Sequence, residues 1–254
     1  MAWLNFLNNM TRVVAFDLDG TLAESKQPMT PAMAELLLKL PVVAVLSGAS
    51  WEQFTSQFLS AFPAGTDFSK FYLFPDNAAQ CFIFKNGAWE EFYNFTFSTT
   101  EVAEIKTAFA NAIIESGLTQ PPQLWGEQIE DRGAQISFSA LGRQAPLEAK
   151  REWRAVHDAE RSHLRDVLSK KLPNYSVQTG GETTIDITQK NITKAYGLQK
   201  LSEITGIPIS DMMYVGDALQ EGGNDYVVIE TGVQTHQVRG PQDTTTFIQQ
   251  LISS

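Results

Sequence analysis

Two aspartates one residue apart, Asp17 and Asp19, directly follow the apolar run Val13-Val14-Ala15-Phe16 and directly precede Gly20-Thr21-Leu22. The run reads as a buried strand that delivers both acids to its carboxyl end. Alternation along extended chain puts Asp17 and Asp19 on one side, and Gly20 lets the backbone turn away sharply behind them. Two carboxylates side by side are unfavourable unless a cation holds them, so the pattern asks for a cation. An ordinary strand-end turn is the plain alternative, because Asp-Gly pairs are common there. A calcium-binding loop of the helix-loop-helix kind is excluded, since Thr21-Leu22 fills its next ligand position and no distant glutamate stands in register.

Such a pair needs a frame, and the flanking sequence supplies one. Thr30-Pro31 opens a helix with Met33, Leu36, Leu37 and Leu40 on one face, closed by Pro41. Val42 to Leu46 is a second continuous apolar strand that ends at Ser47-Gly48. Ser50 and Gln53 form a capping box, and Phe54, Phe58 and Leu59 continue the buried stripe of that helix. Strand, helix, strand, helix is the grammar of a parallel sheet covered on both faces. In such sheets ligands sit beyond the carboxyl ends of the strands, where Asp17, Asp19 and Ser47 all fall.

The grammar changes near Asn94. Ser98 to Glu101 caps a helix with Val102, Ile105, Phe109 and Ile113 inward, ended by Gly117. Gln135 to Ser139 alternates polar and apolar like a half-exposed antiparallel strand. A charged helix follows from about Pro146 to Lys171, its sparse apolar positions including Trp153, Val156, Leu164 and Leu168. Short strands around Val177 and Ile185-Asp186-Ile187 flank a turn at Gly180-Gly181. Alternating grammar then resumes, with a helix over Thr193 to Glu203 and a buried strand, Met212-Met213-Tyr214-Val215, that runs into Gly216-Asp217. Val227 to Ile229 is a fourth candidate strand, and Asp243 caps a closing helix bearing Phe247, Ile248 and Leu251. The expectation is an α/β fold: a mainly parallel core domain over 1–91 and 191–254, with an inserted α+β domain at 92–190.

The chain has 254 residues, 43% of them hydrophobic, enough for one large or two modest cores. Its formal charge of −10 argues against a general nucleic-acid or anionic-membrane binder. A lone cysteine, Cys81, excludes a disulfide framework and a cysteine zinc cluster, and its apolar surroundings read as a buried strand. Met1 to Leu7 shows no basic segment and no long apolar segment of a secretion leader, so a cytoplasmic protein is expected.

Three strand ends thus carry Asp17 with Asp19, Ser47 and Asp217, and Lys194 stands just inside a helix start. A lysine there opposes the helix dipole, which a nearby anion would explain better than packing does. The set in this order resembles the haloacid-dehalogenase (HAD) superfamily of aspartate-based phosphotransferases, whose marks are DxDGT, a Ser or Thr after the second strand, a Lys and a late acidic motif. Within it, Gly216 to Tyr226 is similar to the GDxTxPGGNDxE loop of the eukaryotic-type phosphomannomutases, and Tyr72 to Asn77 to their YVFPEN segment. Ile136 to Arg143 is similar to their NVSPIGR stretch, and Gly180 to Asp186 to their GGxxSxD, with Thr184 in place of the serine. The likeness spans essentially the whole chain.

The resemblance implies a HAD-like Rossmannoid core with an inserted α/β cap, and an Mg²⁺-dependent exchange between hexose 6-phosphate and hexose 1-phosphate primed by a hexose 1,6-bisphosphate. It implies Asp17 as nucleophile and Asp19 as acid and base, with Ser47 and Lys194 on the phosphoryl oxygens. Mg²⁺ would be held by Asp17, the backbone carbonyl of Asp19 and Asp217, with Asn224 and Asp225 orienting that loop. On the cap, Arg132, Arg143 and Lys150 would take the second phosphate, and Thr184 and Asp186 the sugar hydroxyls. A homodimer through the cap is likewise implied. Lys26 and Lys150 stand where the family has arginines, which keeps charge but loses the bidentate fork. Thr231 occupies a second-cation position, and no second ion is expected there. A weaker grip would favour water, so a sugar-phosphate phosphatase is the first rival, and an idle sugar-phosphate binder the second. Arg151 and Arg154 have a plainer reading as a solvated face paired with Glu148, Glu152 and Asp158, and His157, His163 and His236 take no part.

Overall fold

The computed structural model describes residues 12–253, so the Met1 to Leu7 stretch lies outside it. The chain divides into two compact units, residues through Tyr93 together with Lys194 onward, and Asn94–Thr193. In chain order the first unit opens with β1 (Val13–Phe16), α1 (Pro31–Leu37), β2 (Val43–Leu46) and the short α2 (Trp51–Gln53), which widens into a π-type turn over Phe54–Phe58. It continues through β3 (Phe71–Phe74), β4 (Gln80–Lys85) and β5 (Ala88–Asn94). The second unit contains α3 (Thr99–Ser116), β6 (Ile129–Asp131), β7 (Ile136–Ser139), α4 (Leu147–Lys171), β8 (Tyr175–Thr179) and β9 (Thr184–Gln189). The chain then returns to the first with α5 (Lys194–Thr205), β10 (Met212–Gly216), β11 (Gln234–Gln237) and α6 (Pro241–Ile252).

The larger sheet has the order β11-β10-β1-β2-β3-β4-β5, with the first five strands parallel and β4 antiparallel to β3. β1 lies inside this sheet with both faces covered, which is why it reads Val-Val-Ala-Phe without alternation. Val14 and Phe16 pack with Met33, Leu37, Phe54, Phe58 and Ile248 on one face. Val13 and Ala15 pack with Ala44, Tyr214, Leu198 and Leu201 on the other. Local chemistry fixes the helix starts: Thr30 Oγ1 accepts from Met33 N at 3.2 Å, and Ser50 and Gln53 close their capping box. The parallel strands therefore bring the segments after β1, β2 and β10 out on one edge of the sheet.

In the smaller unit the order is β6-β7-β9-β8, antiparallel throughout. Ile136, Phe138, Ile185 and Ile187 meet Ile105 and Phe109 of α3 and Leu164 and Leu168 of α4, with the Phe109 and Phe138 rings stacked at 5.6 Å.

Several expectations are corrected here. Val227 to Ile229 is not a strand but part of a 3-10 turn over Tyr226–Thr231. The outer parallel strand is Gln234–Gln237, which lies at the margin of the sheet and is polar for that reason. Asp243 does not cap the last helix; Gly240 precedes Pro241, and Asp243 sits within the first turn, where it accepts from Arg239. Leu40 is buried in the turn after α1 rather than on it. Val156 is 74% exposed, because the inward stripe of α4 runs through Lys150, Trp153, Arg161, Leu164 and Leu168 and misses it. β7 is buried along both rows rather than half-exposed, since its polar side chains find partners. Cys81 is buried in β4 as expected.

The two units own separate apolar cores, so damage to one should stay local. Phe109→Ala should cost about 3–5 kcal/mol in the smaller unit. Hydrogen exchange should then quicken across 94–193 well before it does in β1, β2 and β10; uniform loss of protection would contradict separate cores.

Candidate active site

β1 stops at Phe16, and Asp17 follows with its amide still bonded to Val215 O of β10 at 3.0 Å. Asp17 is therefore fixed by the sheet, and it is 2% exposed. The Lys194 ammonium, at the first turn of α5, donates to Asp17 Oδ1 at 2.6 Å and to Asp225 Oδ1 at 2.7 Å. Both carboxylates and the lysine are shut off from solvent. Asp17, Asp217 and Asp225 each offer an oxygen within 4.8 Å of the others. Three acids thus face one ammonium, an excess of negative charge that burial makes costly.

The charges respond accordingly. Burial pushes the Asp17 carboxyl well above its ordinary range, outweighing Lys194, with Asp225 and Asp217 adding to the rise. Lys194 moves upward, because Asp17 and Asp225 more than offset its own desolvation. Asp217 is pushed up to about 6, chiefly by burial and then by Asp225.

The donor set fits a small hard dication: carboxylate oxygens, close together and short of positive charge. Gly20 makes the approach possible, since a Cβ there would lie 2.6 Å from Asp217 Oδ2, and its φ of +81° suits the turn. Thr21 Oγ1 reaches Asp217 Oδ1 only at 3.5 Å.

Asp19 departs from the expected side-by-side pair. Its carboxylate is absent from the acidic cluster; Oδ1 accepts from Gln57 Nε2 at 2.6 Å and from Lys26 N at 2.8 Å. The strand has ended at Phe16 and the chain bends at Leu18, so strand alternation no longer governs Asp19. Gln57 lies within the π-type turn and is buried, and its carbonyl also accepts from Met29 N. Lys26 joins the group through its backbone, at a φ of +58°, while its residue is exposed. Ser47 is buried after β2, its Oγ accepting from Ala49 N at 3.2 Å. Asn224 is half-buried in the loop before Asp225.

The smaller unit holds the remaining candidates. Glu130 on β6 accepts from Arg132 Nε at 3.0 Å and Nη2 at 2.9 Å, while its other oxygen meets Arg143 Nη1 at 2.7 Å. Arg132 and Arg143 are thus brought to one carboxylate. Asp186 accepts from Ser137 Oγ at 2.8 Å, and Ser137 from Gln135 Nε2 at 2.9 Å, a buried polar row on the sheet face away from the apolar core. Thr184 opens β9 opposite Gly180, whose missing side chain leaves room for Thr184 Oγ1 and Asp186. Arg161 pins that hairpin by donating to the carbonyls of Gly180 and Gly181 at 3.2 and 2.7 Å. Lys150 is buried on α4. Arg151 and Arg154 pair with Glu182, at 3.8 and 3.0 Å, rather than with Glu148 or Glu152, and Arg154 also lies 3.6 Å from Asp158.

Sequence reading missed Gln57, Glu130 and Tyr214, whose hydroxyl donates to Asp225 Oδ1 at 2.6 Å. A tyrosine in an otherwise aliphatic buried strand was the available signal, because a buried phenol needs a partner.

The family model described as eukaryotic phosphomannomutase matches residues 37–254. The chain is 27% identical to a phosphomannomutase of Dendrobium officinale over 91% of this chain and 90% of that protein. It is 25% identical to the phosphomannomutase of Saccharomyces cerevisiae, over 95% and 94%. In fold it is similar to the Plasmodium falciparum IMP-nucleotidase, with a TM-score of 0.71 at 17% identity, covering 100% of this chain and 71% of that one. The C-terminal domain of a Candida albicans trehalose-6-phosphate phosphatase gives a TM-score of 0.65 at 14% identity, covering 98% and 96%. The fold is HAD-like.

Two outcomes follow from the buried charges. Lys194→Met strips the shared cation from Asp17 and Asp225, and chemical denaturation should show a loss of about 3–5 kcal/mol. For Asp217, a folded value near 6 against an unfolded 3.8 means the folded state holds the proton more tightly. Metal-free stability should therefore fall as pH rises between those values, and Mg²⁺ should raise the melting temperature more at about pH 7.5 than at about pH 5. Equal shifts at both pH values would show that the ion binds elsewhere.

Proposed function

The chain belongs to the eukaryotic phosphomannomutase family, and on that premise we propose that it interconverts hexose 6-phosphate and hexose 1-phosphate through a phosphorylated Asp17. The observation that carries this reading is the buried Lys194 ammonium shared by Asp17 and Asp225, beside Asp217, beyond the ends of parallel strands β1 and β10. The family match begins at residue 37, so Asp17 lies outside it, and its support is this geometry; Asp19 stands apart from the cluster, on Gln57 and Lys26 N.

Phosphate esters hydrolyse so slowly unaided that the site must stabilise the transferring group strongly. The Asp17 carboxylate attacks the phosphorus of a hexose 1,6-bisphosphate, and the bond from phosphorus to the sugar oxygen breaks. Asp19 gives that oxygen its proton. In the return step Asp19 takes a proton from the hydroxyl of the other sugar monophosphate as that hydroxyl attacks phosphorus and Asp17 departs. Gln57 and Lys26 N hold Asp19 in readiness between steps. Lys194 and Ser47 bind the phosphoryl oxygens. Asp17, Asp217 and the Asp19 carbonyl would hold Mg²⁺, which supplies positive charge against the anionic substrate. Arg132, Arg143 and Lys150 serve the ester's second phosphate, and Thr184 and Asp186 its sugar hydroxyls.

Incubation with mannose 1-phosphate, Mg²⁺ and catalytic hexose 1,6-bisphosphate, followed by phosphorus NMR, tests the reading. Mannose 6-phosphate is expected, and its formation should fall by at least about a thousandfold in Asp17→Ala. Free mannose with inorganic phosphate as the main products would instead identify a phosphatase.

A further inference from the structure

Asp225 carries a set of donors that its neighbours in the acidic cluster lack. Its Oδ1 accepts from Lys194 at 2.7 Å and from Tyr214 at 2.6 Å, and its Oδ2 accepts from Ala218 N at 3.3 Å. Tyr214 is wholly buried on β10, in register with Ala15 of β1, whose small side chain leaves space beside the ring. Gly216 completes the fit, because a Cβ there would overlap Asp225 Oδ2 and lie 3.0 Å from the Tyr214 ring. Burial and the adjoining carboxylates raise the phenol well above its ordinary range, so it remains a donor.

A carboxylate oxygen that already accepts two short charge-assisted bonds has little left for a dication. Without the phenol, Oδ1 would regain an open position on a carboxylate that offers an oxygen within 4.8 Å of those of Asp17 and Asp217. Asp225 could then turn toward an ion held by Asp17 and Asp217, and Lys194 would lose one of its two anchors.

We propose that Tyr214 is a positioning residue that commits Asp225 to Lys194, confining cation binding by side-chain carboxylates to Asp17 and Asp217. This rests on the phosphotransfer reading for its catalytic consequence, though not for its metal arm. Tyr214→Phe removes one oxygen and keeps the ring. Turnover of mannose 1-phosphate should fall about tenfold in kcat with KM nearly unchanged, since Tyr214 acts through Asp225. Calorimetric titration with Mg²⁺ alone should show binding tightened by about threefold or more, as the freed carboxylate joins the ion. In an Asp225→Asn background the same substitution should change neither quantity further. A Tyr214→Phe protein with wild-type kcat and Mg²⁺ affinity overturns the proposal, as does an effect of Tyr214→Phe that persists in the Asp225→Asn background.

A second arm does not depend on Tyr214→Phe folding. Because Asp225 is not a ligand here, Asp225→Asn alone should bind Mg²⁺ within about threefold of wild type, and a loss of tenfold or more overturns the assignment. Wild-type turnover separates the two failures. A protein that turns over no hexose phosphate yet meets the calorimetric expectations retires the phosphotransfer reading and leaves the role of Tyr214 standing.

Discussion

An ammonium without solvent holds the larger unit's site together. Lys194 sits at the start of α5, where the helix dipole repels a cation, and it is fully desolvated. Stripping water from it and from two carboxylates costs several kcal/mol per ion, a penalty offset only by near-ideal geometry. That geometry needs β1 for Asp17, the loop after β10 for Asp225 and α5 for the lysine, segments separated by 177 and 31 residues. The site therefore exists only in the finished fold, and the parallel order β10-β1-β2 is the arrangement that assembles it. Buried charge and topology are one constraint here.

The smaller unit solves a related problem with opposite signs. Glu130 is shared by Arg132 and Arg143, so the trio carries a net +1 rather than +2. Arg132 and Glu130 are largely buried, whereas Arg143 is 61% exposed, which leaves one guanidinium fixed and one reachable. An anionic ligand approaching them must share those donors with a carboxylate already in place. Arg161 shows the complementary use of the fork. Its Nη1 donates to two backbone carbonyls and its Nη2 to Asp158, holding the hairpin that leads into Thr184 and Asp186.

Much of this frame was legible in the residues. Continuous apolar runs ending in acids marked β1 and β10, because strands buried on both faces leave no alternation to misread. Side-chain caps at Thr30, Ser50 and Ser98 located helix starts for a local reason that survives folding. What failed depended on distant partners. Gln234–Gln237 carries no strand signal because an edge strand need not be apolar, and the apolar Val227 to Ile229 drew the strand away from it. Asp19 was expected beside Asp17 on the rule of alternation, yet the strand ends before either. Glu130 stands beside Asp131 and Arg132 and Gln57 beside Ser56, and a polar side chain next to polar neighbours reads as solvated. Only the π-type turn and the β6-β7 pairing bring them to their carboxylate and guanidinium partners.

The two outer strands of the larger sheet carry a consequence of their own. β11 reads Gln-Thr-His-Gln, and β5 places Glu90 and Glu91 in the open on the opposite margin. A sheet margin is where a foreign strand could zip onto the backbone. On one margin an incoming chain would have to bury adjacent negative charges, and on the other it would meet a row of amides and an imidazole instead of an apolar seam. Both borders of the sheet are thus poor templates for fibrillar growth, although the strands between them are among the most apolar in the chain.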